Sequence, residues 1–585
     1  MGTPSSRIRF VFSTGLGLAL AVSPLRADDA KGTHKHYEEP PQAKQPGPSG
    51  ELAPRLQNLG DRAFPVTTRV KKAQLFINQG VNLAYAFNHA ESGRAFREAA
   101  RLDPGCAMAF WGQALVLGGN INAAMNPDDE PKAFELAQKA VALKAKATPR
   151  EQALIDAVAQ RYSGKKDDRA ARDKAYAEAM RALHKRFPND LDIATLFAES
   201  LMDLRPWGYW APDGSPNENT TELVKTLEAV LAKDEDHPGA NHLYIHAVEA
   251  TNDPERAEAA ADRLAELMPG AGHMVHMPGH IYVRVGRYAD AASANQKAIA
   301  VDEDYISQCR AQGLYPMAYY PHNLHFLWWA ASFDGRRDLA LAAARKTASQ
   351  VKDEALAALP LLAGFKVVPY YALTRFGMWD EMLAEPEPAG KNVFLDATWH
   401  YTRGIALAGK DRLDEAEAEL AKVQAALPDP ALDSPLFSPN LGRSILSIAP
   451  DVLGATIAAK RKEYDKAIAL LDRAVRLEDS LVYTEPAEWH YPPRHLLGAV
   501  LLEAGRPKEA AVVYWDDLKR YPENGWALRG LAQALRAQGK TDEAAAVDAR
   551  FKKAWARADV TLPASVFGAA VESGTTPATA GEGER

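Results

Sequence analysis

Between residues 241 and 329 the sequence repeats itself three times, and a chain built from repeats is confined to few folds. The first copy, NHLYIHAVEATNDPERAEAA, carries His242 and His246. The second, HMVHMPGHIYVRVGRYADAA, carries His273, His276 and His280, and the third, HNLHFLWWAASFDGRRDLALAA, carries His322 and His325. His276 and His280 stand 34 residues after His242 and His246. That is the period of a two-helix unit, which cannot bury its apolar face alone and must stack on its neighbours. Anchored on Asn252, Gly286 and Gly335, the copies place His242, His276 and His325 ten residues before the turn. His273 and His322 fall thirteen before it, and His246 and His280 six before it. Far downstream the same period returns, with Gly505 and Gly539, and Ala510 and Ala544, 34 apart.

Amphipathic helix pairs start near Ala73, where AQLFINQGVNLAYAFN is followed by HAESGRAFREAARLDP and Pro104 closes the pair. Thr148, Pro149 and Glu151 spell a helix start: a cap, a proline at the first helical position and a glutamate three after the cap. RPWGYWAPDGSPNEN (205–219) reads as a long ordered loop, and YISQCRAQGLYPMAYYP (305–321) as an insertion between the second and third histidine repeats. Further pairs are expected over 365–386, 393–427, 443–480 and 490–522, and no strand-like alternation competes. The expected fold is an all-α helix–turn–helix solenoid with disordered termini. Its parts are 1–27 (export signal), 28–54 (proline-rich lead), 55–235 (degenerate repeats), 236–350 (histidine-rich repeats), 351–440 (degenerate repeats), 441–560 (regular repeats) and 561–585 (tail).

These repeats resemble tetratricopeptide repeats over most of residues 73–555. The likeness is best at Gly279, Tyr282, Gly286, Tyr288, Ala291 and Ala298, and at Gly505, Ala510, Tyr514 and Pro522; it degenerates in 106–235 and 340–440. FNHAES, LDPGCAMAFWG, NHLYIHAVEA and HMPGHIYVRVGRY are also similar to segments of an exported bacterial tetratricopeptide family. The resemblance implies a right-handed superhelix whose first helices line a concave groove, with the histidine columns on those helices. Pro278 departs from the pattern, since a proline there removes a helix hydrogen bond and kinks or shortens the helix.

A formal charge of −7, without long runs of like charge, argues against nucleic acid as the partner. Arg7 and Arg9 before the apolar run FVFSTGLGLALAV, with Ala27 at the cut, predict an export signal and a periplasmic or extracellular mature protein. Nothing after it is apolar for long enough to span a membrane. Two cysteines, Cys106 and Cys309, cannot build a disulfide framework, and whether they pair is open.

Stacked imidazoles suit a transition metal, copper or zinc. His242, His246, His276 and His280 are the expected ligands of one ion, because helices in contact lie roughly 8–10 Å apart, a gap that opposed imidazoles can bridge. Glu249 is expected as a fifth ligand or as an acceptor that fixes an imidazole tautomer. His273, His322, His325, Tyr282, His89 and Glu91 are further candidates for the site or the groove; His34 and His36, in the lead, read as solvated. Met274, Met277 and Met317 nearby would tilt the choice toward copper. Two alternatives stand beside the metal reading. One is a metal-free groove for a peptide or an envelope protein, the other a metal-dependent enzyme with Glu249 or Tyr282 as acid or base. His242-Leu-Tyr-Ile-His246 has zincin spacing but lacks that motif's glutamate, so catalysis is not argued for by the residues.

Overall fold

The computed structural model describes residues 50–166, 168–309, 315–436 and 439–569. The predicted export signal, most of the proline-rich lead with His34 and His36, and the tail beyond 569 lie outside the described residues. Among these residues every regular element is a helix, and only three isolated bridges interrupt the pattern. Sequential helices pack as antiparallel neighbours, beginning with Lys71–Tyr85 against His89–Leu102. The protein is an all-α helical-hairpin solenoid, as the tetratricopeptide-like pattern predicts.

Local chemistry explains where the helices begin and how closely they approach. Thr148 and Glu151 form the reciprocal cap expected of them at Pro149–Gln160. Gly286 and Gly335 hold φ of 82° and 72°, the left-handed turn their anchoring role requires. Ala291 and Ala298, and Ala467 and Ala474, are fully buried, so small side chains stand where paired helices meet. The loop at 205–219 is irregular as expected, closed by a bridge between Trp210 and Pro216. The insertion at 305–321 is more helical than its sequence suggests. Tyr288–Cys309 runs into it, and a wide helical turn, Tyr315–Tyr319, leads directly into Tyr320–Phe333.

The few residues of the expected disordered ends that fall among the described residues are packed, and the remainder of those ends lies outside them. Ala53 is buried and the Leu52 N–H donates to Glu98 at 2.9 Å, so the lead is held from there onward. Leu562, Ala564 and Val566 are buried, and Ser565 donates to the His495 carbonyl while pairing with the Tyr514 hydroxyl, both at 2.7 Å. Composition hid this because only a few apolar positions in that segment do the anchoring. The C-terminal repeats also fold back over the middle ones. Trp526 donates its indole N–H to the Ser332 carbonyl at 3.0 Å, and the Asp559 carboxylate accepts from the Arg337 and Asp338 N–H groups at 2.7 and 3.0 Å. Cys106 is buried with a free thiol. No helix among the described residues is long and apolar enough to cross a membrane.

Asp192 ties the extended segment before the first helix to the stack. It accepts from Arg62 at 2.9 Å and from the Tyr85 hydroxyl at 3.0 Å, with His237 Nε2 at 3.3 Å. Burial opposes its ionisation, but the hydrogen bond from His237 and the Arg62 guanidinium together hold the carboxyl well below its ordinary range. A depressed folded-state pKa adds stability above the unfolded value of about 3.9 and loses it as the pH falls through the folded value. Asp192→Asn is therefore expected to lower unfolding stability by about 3 kcal/mol at pH 7, with the gap to wild type closing below about pH 4. Urea denaturation at pH 7 and pH 3 checks this; a gap of equal size at both would rule out an ionised anchor.

Candidate metal centre

Three helices deliver the histidines. Pro238–Val248 is capped by His237, whose Nδ1 accepts from the Ala240 N–H at 3.2 Å, and its four-residue spacing puts His242 and His246 on one stripe. Glu249 follows three residues later. The second helix is broken as Pro278 predicts, into Gly272–His276 and Pro278–Arg284, with His273 and His276 before the break and His280 after it. The third, Tyr320–Phe333, brings His322 and His325.

Each of four imidazoles has its Nδ1 on an acceptor. For His242 it is the Tyr85 carbonyl at 2.6 Å, and for His246 it is Glu249 Oε1 at 2.8 Å. His276 uses Asn295 Oδ1 at 2.7 Å, and His280 uses Glu249 Oε2 at 2.7 Å. The Asn295 amide is oriented by its own N–H, which donates to the Ala291 carbonyl at 2.8 Å. In these four rings the Nδ1 atoms carry the protons and Nε2 presents a lone pair. The Nε2 atoms of the cluster face one another. His276 Nε2 lies 2.7 Å from His280 Nε2 and 3.2 Å from His322 Nε2, while His242 Nε2 lies 3.1 Å from His273 Nε2. His246 Nε2 is buried without a partner.

The six imidazoles fall into two triads, His242 with His246 and His273, and His276 with His280 and His322. In each, one ligating atom per residue lies within 4.8 Å of the others. The single four-histidine grouping expected from sequence is thus redistributed, and His273 and His322 are full members. Glu249 joins the triads: its two oxygens reach one histidine of each, and Oε2 also accepts from the Tyr483 hydroxyl at 3.2 Å. Both carboxylate oxygens face Nδ1 atoms, as a tautomer-fixing acceptor would, and His246, Glu249 and His280 also form a third group whose ligating atoms lie within 4.8 Å of one another.

Burial pushes all six imidazoles down. His246 falls to about 3 and His322 to about 4, with neighbouring imidazoles adding to burial at His322. His242, His273, His276 and His280 lie well below the ordinary value for the same two reasons. Depressed in this way the imidazoles stay neutral at pH 7, so no added proton sits between His276 Nε2 and His280 Nε2, whose own protons are on Nδ1. Burial pushes the Glu249 carboxyl up, against the Tyr483 hydroxyl and the Arg284 charge.

Other candidates lie elsewhere. Tyr282 donates to Asp262 at 2.9 Å beneath the Arg287 guanidinium, outside the cluster. His89 is buried in a separate pocket beside Arg161, Glu199 and Asp203, and Glu91 pairs with Arg94 at 2.8 Å. His325 belongs to neither triad, its ring resting on Trp328 and Phe365. Met274 and Met277 are part of the apolar core. Downstream, His400 bonds Glu419 at 2.6 Å, His495 bonds Asp517 at 2.9 Å, and His490 stacks on Tyr371 at 4.1 Å. Several participants were not foreseen: Phe87, whose ring lies 4.5 to 6.0 Å from those of His242, His246 and His273; Asn295; and Tyr483.

In front of the triads lies a cavity of about 600 Å³, bordered by His246, His273, His280, His322 and His325. Residues 483–486 and Glu488 also line it, with Tyr483 on Glu249 and Glu485 4.0 Å from His280.

No family model matches the chain, and no curated protein matches it. Among solved structures it is similar to the human IFIT1 dimer with m7Gppp-AAAA, at 13% identity and TM-score 0.30, over 76% of this chain and 90% of that one. It is also similar to yeast Tom70, at 15% identity and TM-score 0.29, over 83% and 98%, and to the APC/C hetero-tetramer Cut9-Hcn1, at 15% and 0.29, over 79% and 76%. At such scores the superpositions carry no weight for function, and the helical-hairpin solenoid assignment rests on the packing and turns described above.

Proposed function

We propose that this protein binds two transition-metal ions, copper or zinc, one on His242, His246 and His273 and the other on His276, His280 and His322. The observation that carries the reading is the approach of His276 Nε2 and His280 Nε2 to 2.7 Å while each ring's Nδ1 faces its own acceptor. Two neutral lone pairs repel at that distance, and burial denies them a shared proton. Nitrogens bound to one tetrahedral ion at 2.0–2.1 Å stand about 3.3 Å apart, close to the 2.7–3.2 Å between facing Nε2 atoms of the cluster. Neutral imidazole suits copper and zinc alike, and a bound ion would draw the Glu249 carboxyl to its charged form. Three protein ligands per ion leave a fourth position, and a cavity beside both triads favours a ligand-binding or catalytic ion over a closed structural one. A bound ion there would act as a Lewis acid.

Elemental analysis of protein loaded with copper or zinc and then dialysed tests this. Two ions per chain are expected, one in His276→Ala, and none in His242→Ala/His276→Ala. A double variant retaining the wild-type metal content would overturn the assignment. The export pattern of residues 1–27 supports a role outside the cytoplasm, where loading would occur after translocation; the mass of the mature N-terminus checks for cleavage after Ala27.

A further inference from the structure

Resting on the metal reading above and deepening it, we infer that the cavity before the triads is the seat of a small aromatic alcohol, a phenol or naphthol. Its ring packs on the aromatic wall and its hydroxyl turns toward Glu485 and the histidines. The cavity has the size of a small-molecule site rather than a peptide groove. Trp207, Tyr319, Trp328, Phe365, Tyr371 and Phe394 supply aromatic lining from four separate stretches of chain. The described lining contains no lysine or arginine and carries the carboxyl groups of Glu485 and Glu488, so without an ion nothing in it attracts an anionic ligand. Several polar atoms of the wall lack a partner, among them Tyr319 Oη, Trp328 Nε1 and Glu485 Oε2. The Glu485 side chain is only 10% exposed, with Oε1 4.0 Å from His280 Nδ1, and burial beside Glu249 pushes its carboxyl up. Its unbonded oxygen can accept from a ligand hydroxyl, and it lies on the histidine side of the cavity. A phenolic hydroxyl donates to it while keeping an oxygen lone pair for the open position of an adjacent ion.

The probe is 2-naphthol, titrated into the full chain and followed by its fluorescence, with the protein metal-loaded and chelator-stripped. One 2-naphthol per chain is expected, held more tightly when metal is present. 2-Methoxynaphthalene, which has no donor, is expected to bind about tenfold or more weakly, and naphthalene-2-sulfonate not to bind the chelator-stripped protein. Gly364→Leu fills the cavity from a position where an added Cβ meets only Leu436, at 3.9 Å. It is expected to weaken 2-naphthol by about tenfold or more with metal content unchanged, which also certifies folding. Equal affinity of the stripped protein for all three probes, or binding untouched by Gly364→Leu, overturns the inference. Metal retained at two per chain with no 2-naphthol bound overturns it alone; 2-naphthol bound with no metal retained leaves the cavity's ligand standing and removes the metal.

Discussion

Glu249→Gln is expected to weaken both metal ions together, by about 10–100-fold each, although the residue touches neither ion. The carboxylate accepts from His246 Nδ1 with one oxygen and from His280 Nδ1 with the other. A glutamine keeps the shape but has one acceptor, and its NH₂ would confront the second imidazole's N–H. That imidazole relieves the conflict by moving its proton to Nε2, which removes it as a ligand. Because His246 serves one triad and His280 the other, one ion loses a ligand outright, and loss of the shared negative charge weakens the other as well. Asn295→Ala is the contrasting variant. It frees only the Nδ1 of His276, so the loss is confined to the His276, His280 and His322 ion. Competitive titration against a chromophoric chelator resolves two affinities per chain. Selective loss in Asn295→Ala beside joint loss in Glu249→Gln is the expected pattern; one affected ion in both variants would exclude a bridging carboxylate.

The histidine columns were legible because a repeat turns a spacing in sequence into neighbourhood in space, and all six clustered histidines come from three consecutive repeats. How they sort was not legible. A strict helix would have stacked His242 on His276 and His246 on His280, but Pro278 breaks the second helix, so His276 and His280 close on each other and His273 turns to His242. The register of the third repeat was blurred by the wide turn at Tyr315–Tyr319, which the insertion concealed. The parts that complete the site come from far along the chain: the Tyr85 carbonyl from 157 residues before His242, and Tyr483 from 234 residues after Glu249. No local pattern announces such contacts. Asn295 left a weak signal, a polar residue on the apolar stripe of the helix behind His276, fully buried in the fold.

The largest loss of stability is expected where an aromatic ring is slotted between two glycines, a device the solenoid uses at both ends. Gly80, Phe96 and Gly112 are spaced sixteen residues apart, as are Gly498, Tyr514 and Gly530. Each set takes a first helix, its partner and the next first helix: Lys71–Tyr85, His89–Leu102 and Ala107–Leu117, then Pro493–Glu503, Pro507–Arg520 and Gly525–Ala537. A Cβ on Gly112 would come within 2.3 Å of Phe96 Cε1, and one on Gly80 within 2.7 Å of Cζ. Around Tyr514 the corresponding approaches are 2.3 Å at Gly498 and 2.2 Å at Gly530. Glycine is thus required for space, and the ring fills what the missing side chains leave. Phe96→Ala is expected to cost about 3–5 kcal/mol, and Gly112→Ala about 1–3 kcal/mol because the ring cannot withdraw from a full core. In the double variant the new methyl occupies part of the hole left by the ring. Its cost should fall short of the sum by about 1 kcal/mol or more. Urea unfolding of the four proteins closes the cycle, and strict additivity would mean that ring and glycine do not share the slot.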